Sequence, residues 1–199
     1  GSPGIGVGDN NSNNGGENLI YLGQTNSIFA DSITVARQKS IASLKFNPAF
    51  ASPSAFFRAA DGESPVAVWN IADNSLQSTS SSSSVGTVDF SGGTVDALVD
   101  TMVIGRSQKT TGAGSFGTLT FTAGTMDVNT LQAGFQTQSG ATSAGVGQIN
   151  VDGTNAVLAV NSLLELGHTS GGNGTTNTFG VLRVNGGTVE ANAIAAGAG

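Results

Sequence analysis

Cysteine is absent from all 199 residues, which excludes a disulfide framework and thiol chemistry. Charge is scarce too: Asp, Glu, Lys and Arg make up 10% of the chain, with a net charge of -6. The seven Lys and Arg residues are scattered, so the sequence carries no basic footprint for nucleic acid. No apolar run approaches the roughly 18 residues that cross a bilayer as a helix, and no charged-then-apolar leader opens the chain. The chain does not start with Met, and Gly1-Ser2 resembles a cleavage scar, so a fragment or processed form is expected. Helical periodicity is missing from every window, and glycine interrupts about every ten residues, which excludes a helical fold. The single histidine, His168, has no Ser, Cys or ligand partner at a recognisable spacing, so no catalytic or metal role is expected of it.

What is there is glycine (30 residues), much Ser, Thr and Asn, and 38% hydrophobic residues in strict alternation. The alternation argues for a core and against disorder. From Val85 to Gly199 one motif is written four times. Its copies open Val85-Gly86-Thr87-Val88-Asp89-Phe90, Phe116-Gly117-Thr118-Leu119-Thr120-Phe121, Val146-Gly147-Gln148-Ile149-Asn150-Val151 and Phe179-Gly180-Val181-Leu182-Arg183-Val184. Ile41-Ala42-Ser43-Leu44-Lys45-Phe46 fits the same template, and the successive spacings are 44, 31, 30 and 33 residues. Such a period means stacked repeats.

Each repeat divides into three strands. The second is seen as Thr94-Val95-Asp96-Ala97, Thr125-Met126-Asp127-Val128, Val157-Leu158-Ala159-Val160 and Thr188-Val189-Glu190-Ala191. The third runs as Asp31 to Arg37, Asp100 to Gly105, Asn129 to Gly134 and Asn192 to Gly197, with one extra residue before Leu164 in the remaining copy. Successive side chains of a strand face opposite ways. In the first strand, Phe46, Phe90, Phe121, Val151 and Val184 form an inner column beside Leu44, Val88, Leu119, Ile149 and Leu182. Lys45, Asp89, Thr120, Asn150 and Arg183 form the outer one. The 44-residue interval is a longer, loop-rich rung at about 47–84, with Ala55-Phe56-Phe57 as second strand and Val68 to Ala72 as third. Trp69 there takes the inward site of Met102 or Leu131. Pro48, Pro53, Pro65 and the run Ser80 to Ser84 mark its loops. Gly/Ser/Thr-rich connections recur at Thr110 to Ser115, Gln136 to Gly145 and Thr169 to Thr178, and should sit on one edge. Residues 1–17 read as a flexible Gly/Asn-rich lead or cap, with structure beginning near Asn18 and the repeat domain spanning 18–199.

The pattern predicts an all-β fold: a single-stranded parallel β-helix, or β-solenoid, with rungs of about 30 residues and three short strands each. The Gly-Thr-Leu-Thr-Phe, Gly-Gly-Thr-Val-Asp and Asn-Thr-Leu elements resemble the autotransporter-associated β-strand repeats of very large bacterial surface and secreted proteins. The resemblance covers residues 31 to 199. It implies a β-helical, passenger-like segment at the bacterial cell surface or outside the cell, and it transfers no catalytic residue.

Several side-chain columns carry groups capable of chemistry. Asp31, Asp100, Asn129, Asn161 and Asn192 share a corner and are expected to hydrogen-bond from rung to rung. Asp96 and Asp127 are expected outward on adjacent rungs, in a series with Glu190 that Ala159 interrupts. Two close carboxylates repel, and a Ca²⁺ between them would relieve this. The chain lacks the Gly-Gly-x-Gly-x-Asp calcium repeat, so a solvent-screened pair is the expectation. Arg37, Asp73 and Arg106, continued by Phe135 and His168, should form an outward ion-pair ladder worth ~0.2 to 1 kcal/mol per pair. Asn10-Asn11-Ser12 and Asn173-Gly174-Thr175 fit the N-glycosylation triplet. No acid, base and nucleophile converge, so no enzyme activity, cofactor or metal is expected. The sequence leads to a structural or adhesive extracellular solenoid that associates end to end or continues into further repeats. The alternative is a carbohydrate-active β-helix, a polysaccharide lyase or a polysaccharide-binding module, with surface polysaccharide as the other expected partner.

Overall fold

A computed structural model of the chain describes residues 3–10, 16–75, 79–80, 82–108, 111–169 and 178–197. These residues form an all-β solenoid without helix, its parallel strands stacked in about five turns of roughly 31 residues. The leading strands are β1 (Gly4–Asn10), β2 (Asn18–Leu22), β3 (Thr25–Phe29), β4 (Ser32–Gln38), β5 (Ile41–Phe46), β6 (Ser54–Arg58) and β7 (Val66–Asn74). After the short β8 (Thr79–Ser80) come β9 (Ser84–Phe90), β10 (Thr94–Ser107), β11 (Thr111–Gly112), β12 (Ser115–Gln136) and β13 (Gly145–Thr169). The last are β14 (Phe179–Asn185), β15 (Thr188–Ala191) and β16 (Ile194–Ala196). In β10 the second and third strands of a rung are continuous, and in β12 and β13 all three are.

The first-strand register follows the repeat: Val85 pairs with Phe116, Phe116 with Val146, and Val146 with Phe179. Phe90, Phe121 and Val151 are fully buried, as are Val88, Leu119 and Ile149 beside them. Val184 occupies the same column yet is 49% exposed, because among the described residues β14 pairs with β13 alone. Trp69 lies opposite Met102 in register and packs its ring 4.8 Å from Phe57 and 6.4 Å from Phe90, filling the wide early rungs with aromatic volume. The extra residue before Leu164 is a bulge, since Val128 pairs with Val160 but Thr130 with Leu163.

Structure begins earlier than the sequence pattern predicts. Residues 4–10 form β1, parallel to β4, and Val7 is buried. Only Ile5 and Val7 carry apolar bulk there, so the strand is stabilised chiefly by pairing with β4 and gives little periodic signal of its own. The Gly/Ser/Thr-rich connections do fall at one corner, and they stack: β8 pairs parallel with β11, and Ser107 shares a 2.6 Å hydrogen bond with Ser143. Residues 170–177 of the last connection lie outside the described residues, as do Asn173-Gly174-Thr175, Asn11-Ser12 and Ser81.

The glycine that opens each copy has a packing cause. Every third strand ends in a left-handed residue, with φ between 59° and 75° at Gly8, Ala36, Ala72, Gly105, Gly134, Gly167 and Gly197. The first strand passes against this corner at backbone distance. A Cβ on Gly147 would lie 2.4 Å from the Ile104 carbonyl oxygen and 2.6 Å from the Gly134 nitrogen. Where Ala42 replaces the glycine, it faces Gly8, whose own added Cβ would come within 2.9 Å of the Ala42 Cβ. Where the corner is Ala72, it faces Gly86.

Candidate functional site

The residue after each left-handed corner points outward, and the register joins these residues into a ladder of Asp9, Arg37, Asp73, Arg106, Phe135 and His168. Its ion pairs are Arg37 with Asp9, at 3.1 Å, and Arg106 with Asp73. The first is 40% and 44% exposed and contributes at most ~1 kcal/mol. The second departs from the exposed ladder expected. Arg106 donates from Nε to one Asp73 oxygen at 3.0 Å and from a terminal nitrogen to the other at 2.5 Å, and the Asp73 side chain is 5% exposed. Burial by itself would push the Asp73 carboxyl up, but the hydrogen bonds and charge of Arg106, with the Ser75 amide, outweigh it and hold it below the usual carboxylate range. Arg106 also reaches the Asn70 side-chain oxygen at 3.3 Å.

The next outward column of the third strand contributes Asn70, Gln132 and Glu165. Glu165 is buried, accepts from Gln132 Nε2 at 2.7 Å and lies 2.6 Å from His168 Nδ1. The imidazole stacks on the Phe135 ring, with centroids 4.9 Å apart. His168 therefore has a carboxylate partner three residues away, one the sequence reading missed because Glu165 is flanked by Leu164 and Leu166. The pair orients a ring but supplies no nucleophile, and both Glu165 oxygens are occupied.

Asp96 and Asp127 do not share a column. Asp127 pairs with Leu98, and Asp96 with Thr125. The cause is turn length: four residues join Phe90 to Val95, whereas two join Phe121 to Gly124. Asp96 instead forms a 2.8 Å ion pair with Arg58, whose guanidinium lies 3.9 Å from the Phe56 ring centre. Asp127 accepts from Asn161 Nδ2 at 2.6 Å. The corner ladder holds at Asn129, which donates to Asp100 at 3.1 Å. It breaks at Asn161, because the bulge carries that residue off the Asn129 position. Asp31 accepts from the Ala60 amide at 3.0 Å. Among the described residues no three His, Cys, Asp or Glu side chains cluster as a metal site.

This arrangement defines a class by architecture: a parallel β-solenoid whose outward columns pair from rung to rung. No protein-family model matches the chain, and neither a curated protein nor a solved structure matches it.

Proposed function

We propose that this chain is a non-enzymatic structural or adhesive segment of an extracellular or bacterial cell-surface protein, a rod whose rungs stack end to end in the manner of autotransporter-associated repeats. The observation that carries this reading is the pair of open ends. Among the described residues β1, β2 and β3 each pair with a single strand at one end, and so do β14, β15 and β16 at the other. The second end exposes inner-column side chains, Ile194 at 63% and Val184 at 49%. Unpaired parallel edges and bare apolar columns favour another set of rungs, from the same chain or from a second copy. A head-to-tail contact of this kind does not close, so repetition gives a fibre.

The non-enzymatic part is supported by how the acids are used. Asp73 is engaged by Arg106, Asp96 by Arg58, Asp127 by Asn161, and Glu165 by Gln132 and His168, each in its own column. A lyase needs carboxylates and a basic group converging on one substrate. Incubation with acidic polysaccharides should therefore yield no unsaturated products, and turnover would refute this part. For assembly, sedimentation at rising concentration and electron microscopy should find linear particles. Ile194→Pro removes a ladder donor from the terminal strand and should weaken them. A monomer at every concentration, unaltered by the substitution, would refute self-assembly through this end.

A further inference from the structure

We propose that a lateral cleft framed by Tyr21, Lys45, Phe50 and Asp89 binds a neutral sugar ring. The site lies on the side of the solenoid and is independent of the end-to-end reading. Tyr21, Lys45 and Asp89 are successive members of the outer column of the first strand. The Asn47 to Pro53 loop of the long rung rises beside them, and the open cleft between them measures about 450 Å³. That volume falls in the range of ~300–1,000 Å³ typical of small-molecule sites.

Its chemistry is that of a sugar site. Tyr21 and Phe50 line the one cleft and are 50% and 41% exposed. An aromatic face matches the apolar C–H face of a pyranose, while the hydroxyls around the ring need donors and acceptors at its edge. The cleft supplies both. Lys45 Nζ lies over one face of the Tyr21 ring, 5.4 Å from its centre, which leaves the opposite face for a sugar. Asp89 spends one carboxylate oxygen on the Ser91 amide at 2.9 Å, and no ion pair between Lys45 and Asp89 forms among the described residues. One positive and one negative group side by side disfavour an ionic ligand of either sign and suit a neutral polyol. A purely apolar ligand would strip water from both charges without compensation.

The wall is also fixed in advance. Asn47 donates its amide to Leu22 O at 2.9 Å, the Ala49 amide donates to Asn47 Oδ1 at 2.9 Å, and Phe50 N donates to Asn47 O at 3.1 Å. Gln24 Nε2 holds the Ala51 carbonyl at 3.0 Å, and Thr94 N donates to Pro53 O at 2.8 Å. A preorganised wall lowers the ordering cost of binding. Beyond Asp89 the column continues as Thr120 and Asn150, themselves joined by a 2.9 Å hydrogen bond, so a linear glycan can extend along the rungs.

The test is amide chemical-shift mapping of the whole chain titrated with maltose, cellobiose and xylobiose, and with digalacturonate as the acidic comparison. At least one neutral disaccharide should shift the amides of Tyr21, Lys45, Asn47 and Ser91 at millimolar concentration. Tyr21→Ala, and separately Phe50→Ala on the loop, should weaken that affinity about tenfold. The site is overturned if no neutral disaccharide moves these amides, if digalacturonate binds as well as the neutral sugars, or if both variants bind unchanged. A chain that forms linear particles but binds no sugar refutes this site and leaves the assembly reading standing, and a sugar-binding monomer does the reverse.

Discussion

Adding one methyl group at Gly147 should destabilise the solenoid more than most core truncations of similar size. The Cβ of Gly147→Ala would meet Ile104 O at 2.4 Å, Gly134 N at 2.6 Å and Ala133 Cα at 2.8 Å. All three are backbone atoms, on the third strands of two preceding rungs, and none can rotate away. Restoring ordinary contact requires a displacement of about 1 Å in strands that are close-packed and tied into continuous ladders. Overpacking typically costs ~1–3 kcal/mol, and the absence of a yielding side chain puts this case at about 3 kcal/mol. For a chain of this size that lowers the thermal midpoint by about 6–12 °C. The control is Gly6→Ala, where an added Cβ meets nothing within 4 Å. Its change should stay within about 0.5 kcal/mol. Thermal unfolding followed by circular dichroism, with urea unfolding to confirm an equal slope, compares the two. Equal midpoints for both variants would refute the close-approach account of the opening glycine.

Phe121 is fully buried in the inner column, so Phe121→Ala should cost about 3–5 kcal/mol, whereas outward Thr120→Ala, losing the hydrogen bond from Asn150, should cost no more than about 1 kcal/mol; similar urea midpoints would contradict the inward and outward assignment. Arg106→Met leaves the buried Asp73 carboxylate unpaired and should cost about 3–5 kcal/mol at neutral pH. Asp73 has a lowered folded-state pKa in the parent, so the stability it confers is present above the ordinary Asp value and is lost as pH falls through the folded one. In the variant, protonation relieves the unpaired charge. The gap between parent and variant should therefore narrow on acidification, and a gap independent of pH would refute the pairing.

How far the fold is legible in the sequence depends on the marker each strand carries. The first strand combines a glycine with apolar residues two and four positions later, a pattern with one phase, and every register read from it holds. The second strand has only alternation, whose period is two. A turn shorter by two residues preserves that alternation while sliding the strand, so the sequence pairs Asp96 with Asp127 and the fold pairs Asp127 with Leu98. The bulge at Leu163 is visible as an extra residue, but its effect on Asn161 is not, because the side chain must reach across rungs to Asp127. Asp9 completes the charged ladder from a segment with little apolar signal. The cleft at Tyr21 is illegible for a different reason. Phe50 belongs to a loop, and only the hydrogen bonds that fold the loop back bring its ring to the outer column.

Because the ladder hydrogen bonds of a solenoid run along its long axis, a pull along that axis strains every bond at a rung boundary in its own direction. The boundaries act as springs in series, each bearing the full force, and the weakest sets the breaking strength of the whole. Here the pairing is most extensive where β12 meets β13, and it thins to the single run Gly4 to Asn10 against Ser32 to Gln38 where β1 meets β4. Under tension the described rod would part first at that boundary, peeling away β1 and leaving the later turns joined.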